Sequence, residues 1–262
     1  MPRDDASTAD HFYEGVYETQ AAYATSADDQ TTFESRVKEM APFLTLAGLT
    51  LEIGCGRGLM RSITERYVGT DISFSAMRGQ DFVRLAASAT NLPFPDAAFT
   101  DIFSYHTLEH IVAPEMTLLE MHRLVKPGGT IFLKPAWNCR PWNNKKLKRK
   151  PYHLLSLRDR ITKCLLPIID SVVWRGLNTI PKRLAREFLY STLQRPTTLK
   201  YTRLTPNHVM DDHWVADADA AAAIDPHEVI WFYKSRGYDT VSHNTFWARV
   251  FARSEGVGVR HR

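Results

Sequence analysis

The stretch LEIGCGRG, Leu51 to Gly58, places three glycines at alternate positions directly behind a short apolar run. Such a run reads as a buried strand, and glycines at its end permit a tight turn that side chains would block. They also let backbone N–H groups come within hydrogen-bonding range of a ligand. An ordinary turn needing positive φ would use the same residues, so the motif gains meaning only from its surroundings.

Those surroundings alternate strands with helices. The pattern predicts strands at 49–53, 67–72, 83–87, 100–105 and 130–133, and helices at 59–67, 74–79 and 114–125. Pro114 opens the last helix and KPGG, 126–129, is expected to stop it. After a long break the pattern resumes with a helix at 226–236. GYDTVS (237–242) and TFWARVFAR (245–253) then read as an antiparallel pair. Repeated strand–helix units at this spacing imply an α/β fold with a doubly wound, mostly parallel sheet.

The chain has 262 residues, 44% of them apolar and 24% charged. That composition suits a globular protein of one large domain, or one domain with an insertion. No apolar run reaches the roughly 18 residues of a membrane span. The start, MPRDDASTAD, is polar and acidic and is not expected to be a signal peptide. Cys55, Cys139 and Cys164 are odd in number and far apart, so they offer neither a disulfide framework nor a metal-ligand spacing. The expected location is the cytoplasm, with a peripheral position at the membrane as the alternative.

Charge is distributed unevenly. Residues 140–203 hold 16 of the 33 Lys and Arg against three acids, Asp159, Asp170 and Glu187. A surplus of 13 there, in a chain whose total is +4, implies that this segment meets something anionic or packs on the acidic remainder. At the other end, aromatics at Phe12, Tyr13, Tyr17, Tyr23 and Phe33 mark one or two helices in residues 1–44. These either pack on the domain or cap a ligand site, with Tyr13 facing the ligand.

The glycine turn lies where open α/β sheets bind ligands, at the C-terminal end of the first strand. Asp71 ends the second strand, and a carboxylate there can accept both hydroxyls of a ribose. Dinucleotides and S-adenosyl-L-methionine both use this layout. Dinucleotide sites favour Gly-x-Gly-x-x-Gly, but Leu59 holds the third position, and the acid comes early for that fingerprint.

On these residues the chain resembles the class I S-adenosylmethionine-dependent methyltransferases, of the small-molecule O-methyltransferase kind. LEIGCGRG is similar to their first motif and YVGTDIS (67–73) to their second. NLPFPDAAFTDIFSYHTLEHI (91–111) and LEMHRLVKPGGTIFLKPA (119–136) are similar to the stretches around their fourth and fifth strands. The resemblance implies a seven-stranded, Rossmann-like sheet with a C-terminal antiparallel hairpin and a helical insertion. It divides the chain into a cap (1–44), a cofactor-binding core (45–138 and 226–255) and a basic, helical substrate lid (139–225).

The resemblance also assigns the cofactor site. Gly54, Gly56 and the backbone of Cys55 would lie against the methionine and ribose, with Glu52 steadying the loop. Asp71 would bind ribose and Ile72 would pack on adenine. Ser88 and Ala89 stand where the family often has an acid before alanine; Ser88 departs from that pattern. Tyr105 and His106 follow the fourth strand at the methionine end. The cofactor is S-adenosyl-L-methionine and its product S-adenosyl-L-homocysteine.

An oxygen nucleophile benefits from a base that titrates near neutrality, and histidine is the usual choice. His106, His110 and His213 are the candidates. DDHW (211–214), with Asp217 and Asp219, reads as a solvated acidic loop rather than a metal site, and no metal is expected. The fourth strand leads into SYHTLEH, without the Pro-Pro-aromatic motif of base-directed amino methyltransferases. Cys139 lacks the Pro-Cys context of enzymes that methylate a pyrimidine carbon. The reading that remains is O-methylation of a small-molecule or saccharide hydroxyl, with an anionic acceptor suggested by the basic insertion. N-methylation of a small amine stands second, and a non-catalytic cofactor-binding protein is the competing class.

Within the insertion, Ile161, Leu165, Ile168, Val172 and Val173 recur at helical spacing. Three explanations stay open: a lid helix burying its apolar face on the domain, a peripheral membrane contact with a lipid-linked or phosphorylated glycan as acceptor, or an RNA surface. No recognised RNA module supports the last, so nucleic acid is disfavoured.

Overall fold

The computed structural model describes residues 4–18, 30–192 and 195–262. Tyr23, expected in the cap, lies outside them. Strand β1 (Thr50–Ile53) is buried along its whole length. It is flanked in parallel by β2 (Tyr67–Asp71) and β4 (Phe99–Tyr105). Outside these, β3 (Val83–Ala86) and β5 (Val125–Lys134) continue the parallel sheet. A separate antiparallel pair, β6 (Tyr201–Arg203) and β7 (Ala222–Ile224), lies in the insertion. Strand β9 (Val257–His261) runs antiparallel between β5 and β8 (Tyr238–Thr240). The order is β3-β2-β1-β4-β5-β9-β8, so the seven-stranded, mostly parallel sheet is as expected. The winding reverses at β1, between β2 and β4, where such sheets open a crevice.

Both faces of the sheet are covered. One core joins Leu51, Ile53, Ile102 and Ile131 with the helices Pro114–Leu124 and Pro226–Lys234. The other joins Phe103, Tyr105 and Phe132 with Met40 and Leu44, at the end of the helix Gln30–Met40. Buried Asp101 fixes that approach, because its carboxylate accepts hydrogen bonds from the Thr45 N–H (3.0 Å), the Thr45 hydroxyl (2.7 Å) and the Leu46 N–H (2.9 Å).

Four expectations need correction. No α-helix follows the glycine turn. A single 3-10 turn, Arg61–Ile63, takes its place, and Thr64 is already extended, so the short connection has no room for more. KPGG does not stop its helix. The helix ends at Leu124 because Val125 is extended (ψ 137) and the pre-proline position of Lys126 disfavours helix. The two glycines fall in β5, beside a register shift against β4. TFWARVFAR is not a strand either. Thr245 accepts the Ala248 N–H and caps a short helix, Phe246–Val250. The last strand is VGVRH, so the sheet continues past the expected boundary at 255.

The insertion provides the fourth. Its helices, Leu157–Ile169 and Val172–Thr192, do not bury their apolar faces. The longer one turns Arg183, Glu187 and Tyr190 inward instead. The Arg183 guanidinium donates to Asp225 (2.6 Å) and to the carbonyls of Val250 (2.8 Å) and Ala252 (2.6 Å). Glu187 accepts from Arg249 (2.7 Å), Trp231 (3.0 Å) and His227 (3.1 Å). The helix is therefore held by charge rather than by grease.

Burial alone would raise the Glu187 carboxyl, but the hydrogen bonds from Arg249, His227 and Trp231 outweigh it and hold it at about 2. A depressed carboxyl stabilises the fold above its unfolded value and loses that contribution as pH falls through the folded value. Glu187→Gln should lower stability by about 3 kcal/mol at pH 7. In thermal melts the deficit should shrink as pH drops from 4.5 towards 2; a deficit independent of pH would mean that Glu187 acts through packing alone.

Candidate functional site

The turn after β1 is built as a cradle. Gly54 has φ +77, and a Cβ there would meet the Thr107 hydroxyl at 2.0 Å. Gly56 has φ +51, and a Cβ there would come within 2.9 Å of the Tyr17 hydroxyl. Only glycine fits either position without displacing its neighbour. Asp71 fastens this turn. Its Oδ2 accepts the Gly56 N–H at 2.8 Å, and its Oδ1 accepts the Ser73 N–H at 3.0 Å. Burial pushes the Asp71 carboxyl up, and the N–H bonds from Ser73 and Gly56 counter it.

A cavity of about 290 Å³ opens beside this turn. Gly54, Asp71, Ile72, Ser88, Ala89, His106 and His110 line it, as do Tyr13 and Tyr17 from the helix Asp4–Glu18, which lies over it. That helix is latched by Glu14, whose carboxylate accepts the N–H groups of Phe74 (2.5 Å) and Ser75 (3.1 Å). Ser88 shares a hydrogen bond with Thr90 at 2.9 Å, so this wall carries hydroxyls and no acid.

Several residues expected at the cofactor are elsewhere. Glu52 is turned into the core, where the Tyr67 hydroxyl donates to its carboxyl, and burial pushes that carboxyl up to about 8. Cys55 is buried beneath the turn, and burial with the nearby Asp71 and Glu52 charges raises its thiol. Tyr105 packs in the second core and donates to the Arg36 carbonyl at 3.2 Å. None of these three lines the cavity, and Gly56 is screened from it by Tyr17. His213 lines neither this cavity nor the groove below.

His106 has φ +47, a left-handed conformation that costs of order 1–3 kcal/mol for a side-chain-bearing residue and gathers at functional sites. The His106 N–H donates to the Lys134 carbonyl at 3.0 Å, which holds the turn. The Nδ1 lies 3.6 Å from Oε1 of buried Glu109; the same oxygen accepts the Ala136 N–H at 2.8 Å and lies 3.9 Å from His110 Nε2. Glu109 is held below the usual carboxylate range: burial raises it, but His106, His110 and the Ala136 N–H win. His106 also lines a second, open groove of about 500 Å³, together with Lys134, Trp137, Arg140, Arg175 and Arg253. The insertion helix Val172–Thr192 forms one wall.

Behind the cavity the acidic loop divides: Asp211 and Asp212 stay exposed, whereas its far end folds inward. Asp219 is buried, accepts the Tyr13 hydroxyl at 2.9 Å and pairs with His110 Nδ1 at 3.3 Å. Burial lowers His110, but Asp219 and Glu109 outweigh it and raise its pKa. Glu109, His110 and Asp217 bring ligand atoms within 4.8 Å of one another, a set able to hold a divalent ion. Sequence reading paired the loop acids with His213; nothing in linear spacing shows that they meet His110 instead. Tyr17 and Thr107 had no signal beyond their neighbourhood.

Comparison with known proteins agrees with this geometry. A family model described as a methyltransferase domain matches residues 51–133. A probable methyltransferase of Aspergillus luteorubrus, ltbC, is 27% identical over 126 residues, covering 37% of this chain and 43% of that protein. An uncharacterized methyltransferase of a Mycobacterium species is 31% identical over 123 residues, covering 42% and 48%. The chain thus spans less than half the length of these curated relatives. A solved S-adenosylmethionine-dependent methyltransferase of Thermotoga maritima, a possible histamine N-methyltransferase, superposes over 95% of this chain and 97% of its own. Its TM-score is 0.50 at 15% identity, which is a likeness of fold. Residues 51–133 thus match a methyltransferase domain, and the fold is like that of a solved S-adenosylmethionine-dependent methyltransferase.

The residues present fit an adenosyl group: Gly54 borders the cavity with bare backbone, and Asp71 at its wall is a carboxylate with lone pairs to spare. Asp71→Ala should weaken S-adenosyl-L-homocysteine binding by about 1–3 kcal/mol in calorimetry. Unchanged affinity would mean that the carboxylate serves only the turn.

Proposed function

We propose that the protein is a methyltransferase that moves a methyl group to a hydroxyl of an anionic small-molecule or saccharide acceptor. The supporting observation is the position of His106, which borders both the cofactor cavity and the basic groove. In this reading Gly54, Asp71, Ile72, Ser88 and Ala89 hold the cofactor, and the 139–225 segment forms the acceptor side. Bound S-adenosyl-L-methionine supplies a methyl on a sulfonium, and S-adenosyl-L-homocysteine is released.

The protein's own task is to align the acceptor, take a proton and exclude water. Glu109 faces Nδ1 of His106, which favours the tautomer with its proton there and leaves Nε2 to accept the hydroxyl proton. The base is thus oriented by a buried carboxylate, and the helix Asp4–Glu18 covers the cofactor side. Arg140 and Arg175 face the same groove and make no ion pair among the described residues. Burial, and repulsion from Arg175, lower the Arg140 guanidinium, so an anion between them would relieve both.

N-methylation of a small amine is the second reading. It is favoured by the carboxylates Glu109, Asp217 and Asp219 around His110, which suit a cationic acceptor.

His106→Ala should lower kcat about 100-fold or more, the usual share of general base catalysis, and leave S-adenosyl-L-homocysteine affinity unchanged. Mass spectrometry against paired hydroxyl and amine acceptors, with and without phosphate or carboxylate, reads both points. A variant with full kcat would remove His106 from the chemistry. Transfer to amines alone would favour the second reading.

A further inference from the structure

The insertion helix Val172–Thr192 is inverted relative to an ordinary surface helix. Its charged residues Arg183 and Glu187 face the protein, while Val173, Leu177, Leu184 and Phe188 face outward. These four recur at intervals of four, seven and four, so they form one stripe. The exposures are large, 72% at Val173, 68% at Leu177 and 78% at Phe188. The preceding helix, Leu157–Ile169, repeats the arrangement: Leu157, Ile161, Leu165 and Ile168 form a stripe, with Leu157 75% exposed. Contiguous apolar surface of this kind marks an interaction site rather than chance exposure.

The charge around the stripes selects the partner. All three acids of residues 140–203 are already engaged: Asp159 by Lys145, Asp170 by Lys148 and Glu187 by Arg249. Acids outside the segment pair Lys146, Arg183 and Arg186, and the rest of its surplus of 13 positive charges has no acid within the segment left to offset it. Arg149, Arg158 and Lys182 are exposed and make no ion pair among the described residues. A second copy of this chain would bring the same surplus against itself, and like charges at close range oppose association. No described helix is long and apolar enough to cross a membrane, which leaves a surface contact.

We propose that these two helices dock the protein on an anionic lipid bilayer, apolar stripes in the headgroup–acyl boundary and basic residues on the headgroups. The same long helix contributes Arg175 and Thr179 to the basic groove. If the groove takes the acceptor, as proposed above, the acceptor is an anionic amphiphile presented at the bilayer; that clause rests on the methyl-transfer reading, whereas the docking does not.

The test is co-sedimentation of the full chain with vesicles of phosphatidylcholine, with and without one quarter phosphatidylserine. The wild type should sediment with the anionic vesicles only, and raising salt from 0.1 to 0.5 M should weaken it at least tenfold. Leu177→Glu with Phe188→Glu should lower the bound fraction at least tenfold, while the thermal shift given by S-adenosyl-L-homocysteine is retained as a check on folding. Failure to bind either vesicle, or equal binding by the double variant, overturns the proposal. So does a wild-type dimer in light scattering that the double variant converts to monomer, or tighter binding to a single-stranded RNA oligomer than to the vesicles. A lost cofactor shift with retained vesicle binding would instead count against the methyl-transfer reading.

Discussion

The site depends on one carboxylate that serves two backbone segments. Asp71 accepts the Gly56 N–H with one oxygen and the Ser73 N–H with the other. These bonds tie the end of β2 to the turn after β1 and set the two glycines at the crevice where the sheet reverses its winding. Burial makes a charged carboxylate costly, and the N–H donors offset that cost. The same geometry leaves lone pairs on both oxygens for a ribose.

Around that point the molecule carries two separate recesses. The cavity beside Asp71 is covered by aromatic side chains of the helix Asp4–Glu18, and the groove beyond His106 is basic. His106 occupies the boundary in a strained backbone conformation, with Glu109 behind it. Strain of this kind persists only where the surroundings enforce it, and here the Lys134 carbonyl and Glu109 both do. The insertion attaches by buried ion pairs at Asp225 and Glu187, which leaves its apolar residues free for a different contact.

Much of this was legible in the residues. LEIGCGRG and Asp71 mark the turn, and the alternation of strands with helices marks the parallel part of the sheet, because strand and turn chemistry are local. Gly54, Asp71, Ile72, Ser88, Ala89, His106 and His110 all line the cavity. Glu52 and Tyr105 do not, since alternation along a strand tells that two faces exist but not which one a polar residue takes when a hydroxyl or carbonyl waits inside. Glu109 stands out in the sequence only as part of a motif, and its link to His106 comes from a turn no periodicity reveals. The helix wheel at 161–173 identified an apolar stripe correctly, yet not its outward direction. That direction is set by Arg183 and Glu187 meeting partners far along the chain.

The central claim is that the glycine turn and Asp71 together grip an adenosyl group. A crystal structure of the protein soaked with S-adenosyl-L-homocysteine tests it most directly. The account predicts electron density for the ligand against Gly54, with its ribose hydroxyls on the Asp71 carboxylate and its sulfur toward His106. Ligand bound in another cavity, or a ribose with no contact to Asp71, would contradict it.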